Sequence, residues 1–215
     1  MKIFLLCPRS FGANTYLLVS GKHAVAVDPC VSVDAIRAAL CESGAELLGI
    51  LLTHGHFDHT ASVDKLRDSF PIPLMVHEDD AEMLTNGRIN GYFDFFLQPQ
   101  THRHAEMLLS DGQTLNIGNE QIRVIHTPGH SRGSCCFLAK DDSGKEFLIS
   151  GDTLFSDNIG RCDLYGGDES KLIASLKLLS SLDRDMLIYP GHGDSERLGV
   201  ALSLVAEAFD IQDLV

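Results

Sequence analysis

Hydrophobic and polar positions along this chain follow two periods in turn. Residues 2–6, 15–19 and 24–28 are short apolar runs, with Gly21-Lys22 turning between the last two, and three strands are expected there. Asp28-Pro29 ends the third. Val33, Ile36, Arg37 and Leu40 then fall at helical spacing, and Gly44 stops that helix. An apolar stretch at 49–52 predicts a buried strand, and Ser62, Leu66 and Phe70 mark a helix over 62–70. Pro71 and Pro73 bound a short strand at 74–76, and 78–84 reads as one more helix.

The second half repeats the alternation. Strands are expected at 114–117, 121–126, 134–139 and 147–150, with Asp142-Ser143-Gly144 turning between the last two. Apolar residues at 172, 173, 176, 179 and 182 give 170–182 a helical face. A strand at 186–189 and a closing helix over 195–209 complete the chain. Strands giving way to helices twice over predict a layered α/β protein, two sheets between helices. With no low-complexity segment or linker, 1–215 reads as a single domain. Residues 86–105 fit neither period. Asn86-Gly87 and Asn90-Gly91 are turn signals, and Tyr92, Phe93, Phe95 and Phe96 follow them. This insertion is either a lid or contact surface, or a loop that packs its own aromatics onto the domain.

Composition narrows the function classes. The 215 residues suffice for a large core, and 44% hydrophobic with 22% charged is the balance of an ordinary globular protein. No run approaches the roughly 18 apolar residues that span a bilayer. Residues 1–7 are too short for the apolar core of an export signal, and Arg9, Ser10 and Asn14 follow at once. A net charge of -13 argues against nucleic acid, whose phosphates need clustered Lys and Arg. The six cysteines show no C-x-x-C spacing and read as reduced thiols, so a cytoplasmic protein with a small-molecule substrate is expected.

The chemistry is concentrated in Thr53-His54-Gly55-His56-Phe57-Asp58-His59. Three imidazoles and a carboxylate so close together suit a borderline cation such as zinc, and the run sits between a strand and a helix. Three further turns could complete a centre: Thr127-Pro128-Gly129-His130, Ser150-Gly151-Asp152-Thr153 and Tyr189-Pro190-Gly191-His192. Each follows a strand, and α/β folds bind ligands at the carboxyl ends of strands. Taken singly, His130, Asp152 or His192 could equally serve a cap or turn. Jointly they give two sets, His54, His56 and His130 on one ion and Asp58, His59 and His192 on the other, with Asp152 able to bridge. Each set leaves a position for water, as a catalytic site requires. His23, His77, His102, His104 and His126 lack that context and read as surface or packing residues.

These motifs resemble the metallo-β-lactamase superfamily, and more closely its glyoxalase II-like (hydroxyacylglutathione hydrolase-like) members. The match comprises His-x-His-x-Asp-His at 54–59, Pro-Gly-His at 128–130, Gly-Asp-Thr at 151–153 and Pro-Gly-His-Gly at 190–193. Ile159-Gly160-Arg161-Cys162-Asp163-Leu164 with Gly167-Asp168 is similar to a stretch of the small members. The resemblance implies a four-layer αββα sandwich with a two-metal cleft at one sheet edge. Full-length glyoxalase II enzymes add a C-terminal helical region for the glutathione moiety, and this sequence ends shortly after its last Pro-Gly-His-Gly. A thioesterase-like hydrolase is therefore the expectation.

In that reading a hydroxide bridging two divalent ions, zinc with iron or manganese as alternatives, attacks the carbonyl. Asp58 would orient the hydroxide and take its proton. A thioester suits the site because a thiolate, pKa about 8.5, leaves without a strong general acid. Arg161 would bind a substrate carboxylate or brace the acidic loop, and Tyr92 and Phe93 would contact substrate from the insertion, which also leaves room for a homodimer. The rival is a persulfide dioxygenase holding one iron on His54, His130 and Asp152, and a lactonase stays open. A secreted β-lactamase would carry an export signal.

Overall fold

Strands that are apolar on both faces must be covered on both, and that requirement organises this chain. The computed structural model describes residues 1–7, 12–211 and 214; Arg9 and Ser10 of the export-signal argument lie outside the described residues. The first sheet runs in chain order through β1 (Lys2–Leu6), β2 (Thr15–Ser20), β3 (His23–Val27), β4 (Glu46–Leu51), β5 (Leu74–His77) and β6 (Met107–Leu109). The first two pairings are antiparallel and the remaining three parallel. The second sheet has the order β12 (Glu196–Arg197), β11 (Leu187–Pro190), β10 (Glu146–Gly151), β9 (Cys135–Lys140), β8 (Glu120–His126) and β7 (Thr114–Ile117).

Side-chain alternation along each strand sends neighbours to different cores. In β2, Tyr16 and Leu18 point into a core shared with Phe137 and Ile149 of the second sheet, while Leu17 and Val19 face the opposite way. That opposite face packs on α1 (Val33–Ser43) through Ile36 and Leu40, and on α3 (Val63–Ser69) through Leu66. In β9, Cys135 and Phe137 join the inter-sheet core, whereas Cys136 faces Leu176 and Leu179 of α6 (Glu169–Leu179) and Leu202 of α7 (Leu198–Phe209). The result is the expected αββα sandwich. All six cysteines are free, and among the described residues no helix is long and apolar enough to cross a membrane.

Helix ends follow local chemistry. Ser32 caps α1 by accepting from the Ala35 amide at 3.2 Å, and Gly44 closes it at φ 66°, where a Cβ would be strained. Asp168 caps α6 by accepting from Lys171 N. Three expectations need correction. The helix over 195–209 begins only at Leu198, because Glu196 and Arg197 pair with Ile188 and Leu187 as an edge strand. The helix over 78–84 is a 3-10 turn, Glu78–Asp80, followed by α4 (Ala81–Thr85). The insertion at 86–105, read as irregular, holds the short helix α5 (Tyr92–Phe96), entered at Gly91 with φ 81° and left at Leu97 with φ 55°. Beyond it Arg67 holds the chain through His104 O (2.7 Å) and Glu106 (3.0 Å), and β6 then docks on β5.

Strand directions decide where the motifs meet. β8 and β10 are both antiparallel to β9, and β11 is parallel to β10, so these three strands end at one edge. His130, Asp152 and His192 lie just beyond those ends. The run from Thr53 to His59 follows β4, with its last three residues opening the single turn of α2 (Phe57–Thr60).

Candidate metal centre

The seven expected ligands converge at that edge. His56 Nδ1 lies 2.8 Å from His130 Nε2, which lies 3.2 Å from His54 Nε2. His192 Nε2 is 3.2 Å from Asp58 Oδ2, and His59 Nε2 is 3.2 Å from Asp152 Oδ1. The second oxygen of Asp152 sits 3.5 Å from His130 Nε2 and 3.7 Å from His192 Nε2, between the two groups. Donor atoms of His54, His56 and His130 lie within 4.8 Å of one another, as do those of Asp58, His59 and His192, and those of His54, His59 and Asp152. A tetrahedral ion with bonds of about 2.1 Å holds its donors about 3.4 Å apart.

Hydrogen bonds on the far side of each ring fix which nitrogen faces the cleft. His130 Nδ1 is 2.7 Å from the carbonyl of Arg161, which can only accept, so Nδ1 carries the proton and Nε2 the lone pair. His59 Nδ1 donates to Asp28 Oδ2 at 2.9 Å. Thr53 spends its hydroxyl proton on the same carboxylate oxygen at 2.6 Å, so at 3.1 Å it accepts from His54 Nδ1. Three imidazoles thus aim Nε2 lone pairs inward, as ligating histidines do. His56 Nδ1 stands 2.8 Å from the His130 lone pair, close enough for the two nitrogens to share one cation. Asp152 Oδ1 and His59 Nε2, 3.2 Å apart, are buried without a hydrogen bond of good geometry, which fits donors directed at an ion.

The ionisation of these groups agrees. Burial, reinforced by the neighbouring imidazoles, keeps His54 well below the ordinary histidine range and lowers His56 to about 3, so both are neutral near pH 7. Burial opposes charge at His59, yet the carboxylates of Asp152 and Asp28 hold its pKa well above the ordinary value, so a cation would take its place at Nε2 by displacing a proton. Asp152 is likewise opposed by burial but pulled below the usual carboxylate range, chiefly by His59. The hydrogen bond from His192 lowers Asp58 in spite of burial, and raises His192 in turn. The cleft therefore concentrates negative potential between lone pairs, an environment for a divalent cation.

Several supporting residues escaped the sequence reading. Asp28, 1% exposed, joins Thr53 to His59 and also accepts from Thr53 N at 2.8 Å. Asn14 donates to the carbonyls of Pro190 (3.1 Å) and Gly193 (2.8 Å), and Tyr16 to Pro190 (2.7 Å), which brackets His192. Asp80 is wholly buried and accepts from Gly55 N (2.9 Å), Ser131 Oγ (2.6 Å) and Gly133 N (2.6 Å). It locks the loop bearing His54 and His56 to the loop bearing His130. The packing leaves no slack, because a Cβ at Gly133 would lie 2.6 Å from Asp80 N. In Asp80→Asn the amide –NH2 would face one of those donors, and a 10- to 100-fold loss of metal affinity is expected, the scale of outer-shell changes. Competitive titration with a chromophoric chelator checks it; unchanged affinity would remove the clamp from the account.

Two expected substrate contacts are displaced. Among the insertion aromatics, Phe95 and Phe96 line the cavity beside the ligands, and Tyr92 and Phe93 do not. Tyr92 packs behind, on Phe57 (5.4 Å) and Phe96 (4.5 Å), and Phe93 lies under Arg88 (5.0 Å), because α5 turns successive side chains to different faces. Of the two roles open to Arg161, its side chain performs the bracing one, gripping Asp163 side-on at 2.5 and 2.7 Å. His77 and His126, taken as packing residues, stack at 4.0 Å and form with Asp79 a fourth group within 4.8 Å. One nitrogen of each is engaged, His77 Nδ1 by Asp79 N and His126 Nε2 by Arg132 O, so the pair braces the His130 loop.

Comparison with known proteins agrees with this geometry. A family model described as the metallo-beta-lactamase superfamily matches residues 9–192. The probable metallo-hydrolase YqgX of Bacillus subtilis (strain 168) is 36% identical over 182 residues, 84% of this chain and 85% of its own. The crystal structure of BLEG-1 B3 metallo-beta-lactamase superposes with a TM-score of 0.84 at 35% identity, covering 94% of this chain and 97% of that one. TTHA1623, solved in a di-iron-bound form, gives 0.80 at 32% identity over 95% and 98% of the two chains.

Proposed function

The chain belongs to the metallo-beta-lactamase superfamily, and on that premise we propose that it is a hydrolase with two divalent ions, zinc by preference, acting on a thioester or related small ester. The observation that carries this reading is the pair of three-donor groups meeting at Asp152. His54, His56 and His130 would hold one ion, Asp58, His59 and His192 the other, and Asp152 would bridge. Ions so held lower the pKa of bound water toward neutrality and polarise a carbonyl. A similar protein solved with two irons supports double occupancy and keeps iron open as the metal.

The protein's own residues prepare the rest. Asp58, its backbone carbonyl accepting from Ala13 N and from the Cys30 thiol, stands with its carboxylate at the cavity wall to orient a water and take up its proton. The water oxygen bonds to the acyl carbon, the C–S bond breaks, and the thiolate leaves with the electron pair and recovers a proton. Among the described residues the cavity lining contains no Lys, Tyr, Cys or Ser to serve as a general acid. That favours a leaving group with a pKa near that of a thiol over an amine. A reducing compartment such as the cytoplasm suits the six free cysteines.

Elemental analysis of the purified protein, then assays on thioester, lactone, β-lactam and persulfide substrates, tests the reading. We expect two divalent ions per chain and thiol release, lost on chelation and restored by zinc. One iron per chain with oxygen uptake on the persulfide would replace this reading by the dioxygenase, in which Asp58, His59 and His192 hold no ion.

A further inference from the structure

Five of the seven expected ligands, His56, Asp58, His130, Asp152 and His192, line a cavity of about 540 Å3, within the range of small-molecule sites. Its remaining wall is almost wholly apolar: Phe57, Phe95, Phe96, Phe155, Ile159 and Leu164. Phe57 belongs to the ligand run itself, between His56 and Asp58, and stacks edge-on with Phe96 at 5.8 Å, so the apolar wall begins where the chemistry ends. Phe155 rests against His192 at 6.1 Å. Among the described residues the lining has one cationic side chain besides histidine, Arg161, and it is paired with Asp163. Phe95 and Phe96 remain 54% and 49% exposed at the mouth, an apolar surface that a ligand would cover. The larger cleft, about 660 Å3 and lined by Lys140, Asp183 and Arg197 among others, lies away from all seven ligands.

We propose that this wall is the acyl subsite, and that the enzyme selects substrates whose acyl group is an apolar chain rather than a charged or hydroxylated one. The inference rests on the hydrolase reading above, since the subsite is defined by its contact with the ligand cluster. A charged acyl group would lose water in front of the phenylalanines and, among the described residues of the lining, find no unpaired cation in return. An alkyl chain would gain with each methylene buried.

The test uses metal-loaded protein and N-acetylcysteamine thioesters from acetyl to octanoyl, with lactoyl as the hydroxylated member, read by thiol release. kcat/KM should rise about three- to fourfold per methylene until the cavity is full, and lactoyl should fall below butyryl. Phe96→Ala and Phe155→Ala should each lower the octanoyl-to-acetyl ratio about tenfold. In parallel, calorimetry compares acetate with octanoate, expected to bind more tightly. A flat or falling chain-length series, an unaltered ratio in both variants, or octanoate binding no better than acetate overturns the subsite. Tight octanoate binding with no turnover of any thioester keeps the subsite and overturns the thioester reading instead.

Discussion

Replacing Asp152 with alanine is expected to remove bound metal and hydrolysis together, lowering kcat/KM by about three orders of magnitude. Its carboxylate reaches both donor sets, at 3.2 Å from His59, 3.5 Å from His130 and 3.7 Å from His192. It is also the largest of the influences that raise the pKa of His59, ahead of Asp28. Without it, the imidazoles around the cleft lose the negative charge that offsets a divalent cation, and three nitrogen lone pairs are left facing each other in a buried space. Asp152→Asn keeps the shape and removes the charge, so it should retain less metal than the native protein and more than alanine. Metal per chain by elemental analysis, read beside kcat/KM and a thermal melt, separates loss of the ion from loss of the fold. Full activity in the alanine variant would sink the bridging role.

Much of this centre is legible in the sequence because each ligand is carried by a local rule. A strand ends, a Pro-Gly or Gly-Asp turn follows, and the next polar side chain is aimed at the sheet edge. His130, Asp152 and His192 all obey that rule. The supporting residues do not. Asp28 looks like a strand terminus with a turn-forming neighbour, yet it holds Thr53 and His59 from 25 and 31 residues away. Asp80 sits in an acidic Glu-Asp-Asp stretch that reads only as the start of a helix, although it is buried and clamps two ligand loops. Such roles depend on which loops the sheets bring together, and no periodicity records that. The same limit explains β6 and β12, of three and two residues, whose pairing is decided by a neighbouring strand and not by their own pattern. In the insertion, the aromatic cluster is visible, but which rings face the cavity follows from α5 and its docking on Phe57.

The Pro-Gly-His turn before α7 shows how a motif glycine can act through space rather than backbone freedom, and Gly191→Ala should have the second large effect. A Cβ at Gly191 would stand 2.1 Å from Asp152 Oδ1 and 2.6 Å from His59 Cε1. Both neighbours are buried, and both are expected ligands, so neither can retreat without leaving its place in the centre. A displacement of about 1 Å costs on the order of 100-fold in rate, and at least that loss in kcat/KM is expected, with one ion per chain retained or none. The fold should survive, because the clash falls on two side chains and not on the inter-sheet core. Gly193→Ala is the control two residues on. Its φ of 77° strains an added Cβ, but nothing lies within 4 Å of it. It should cost about 1–2 kcal/mol of stability and leave the metal content near that of the native protein. If instead Gly191→Ala binds two ions and turns over normally while Gly193→Ala does not, the turn is constrained by its backbone, and the close packing of Gly191 on Asp152 has no part in holding the ions.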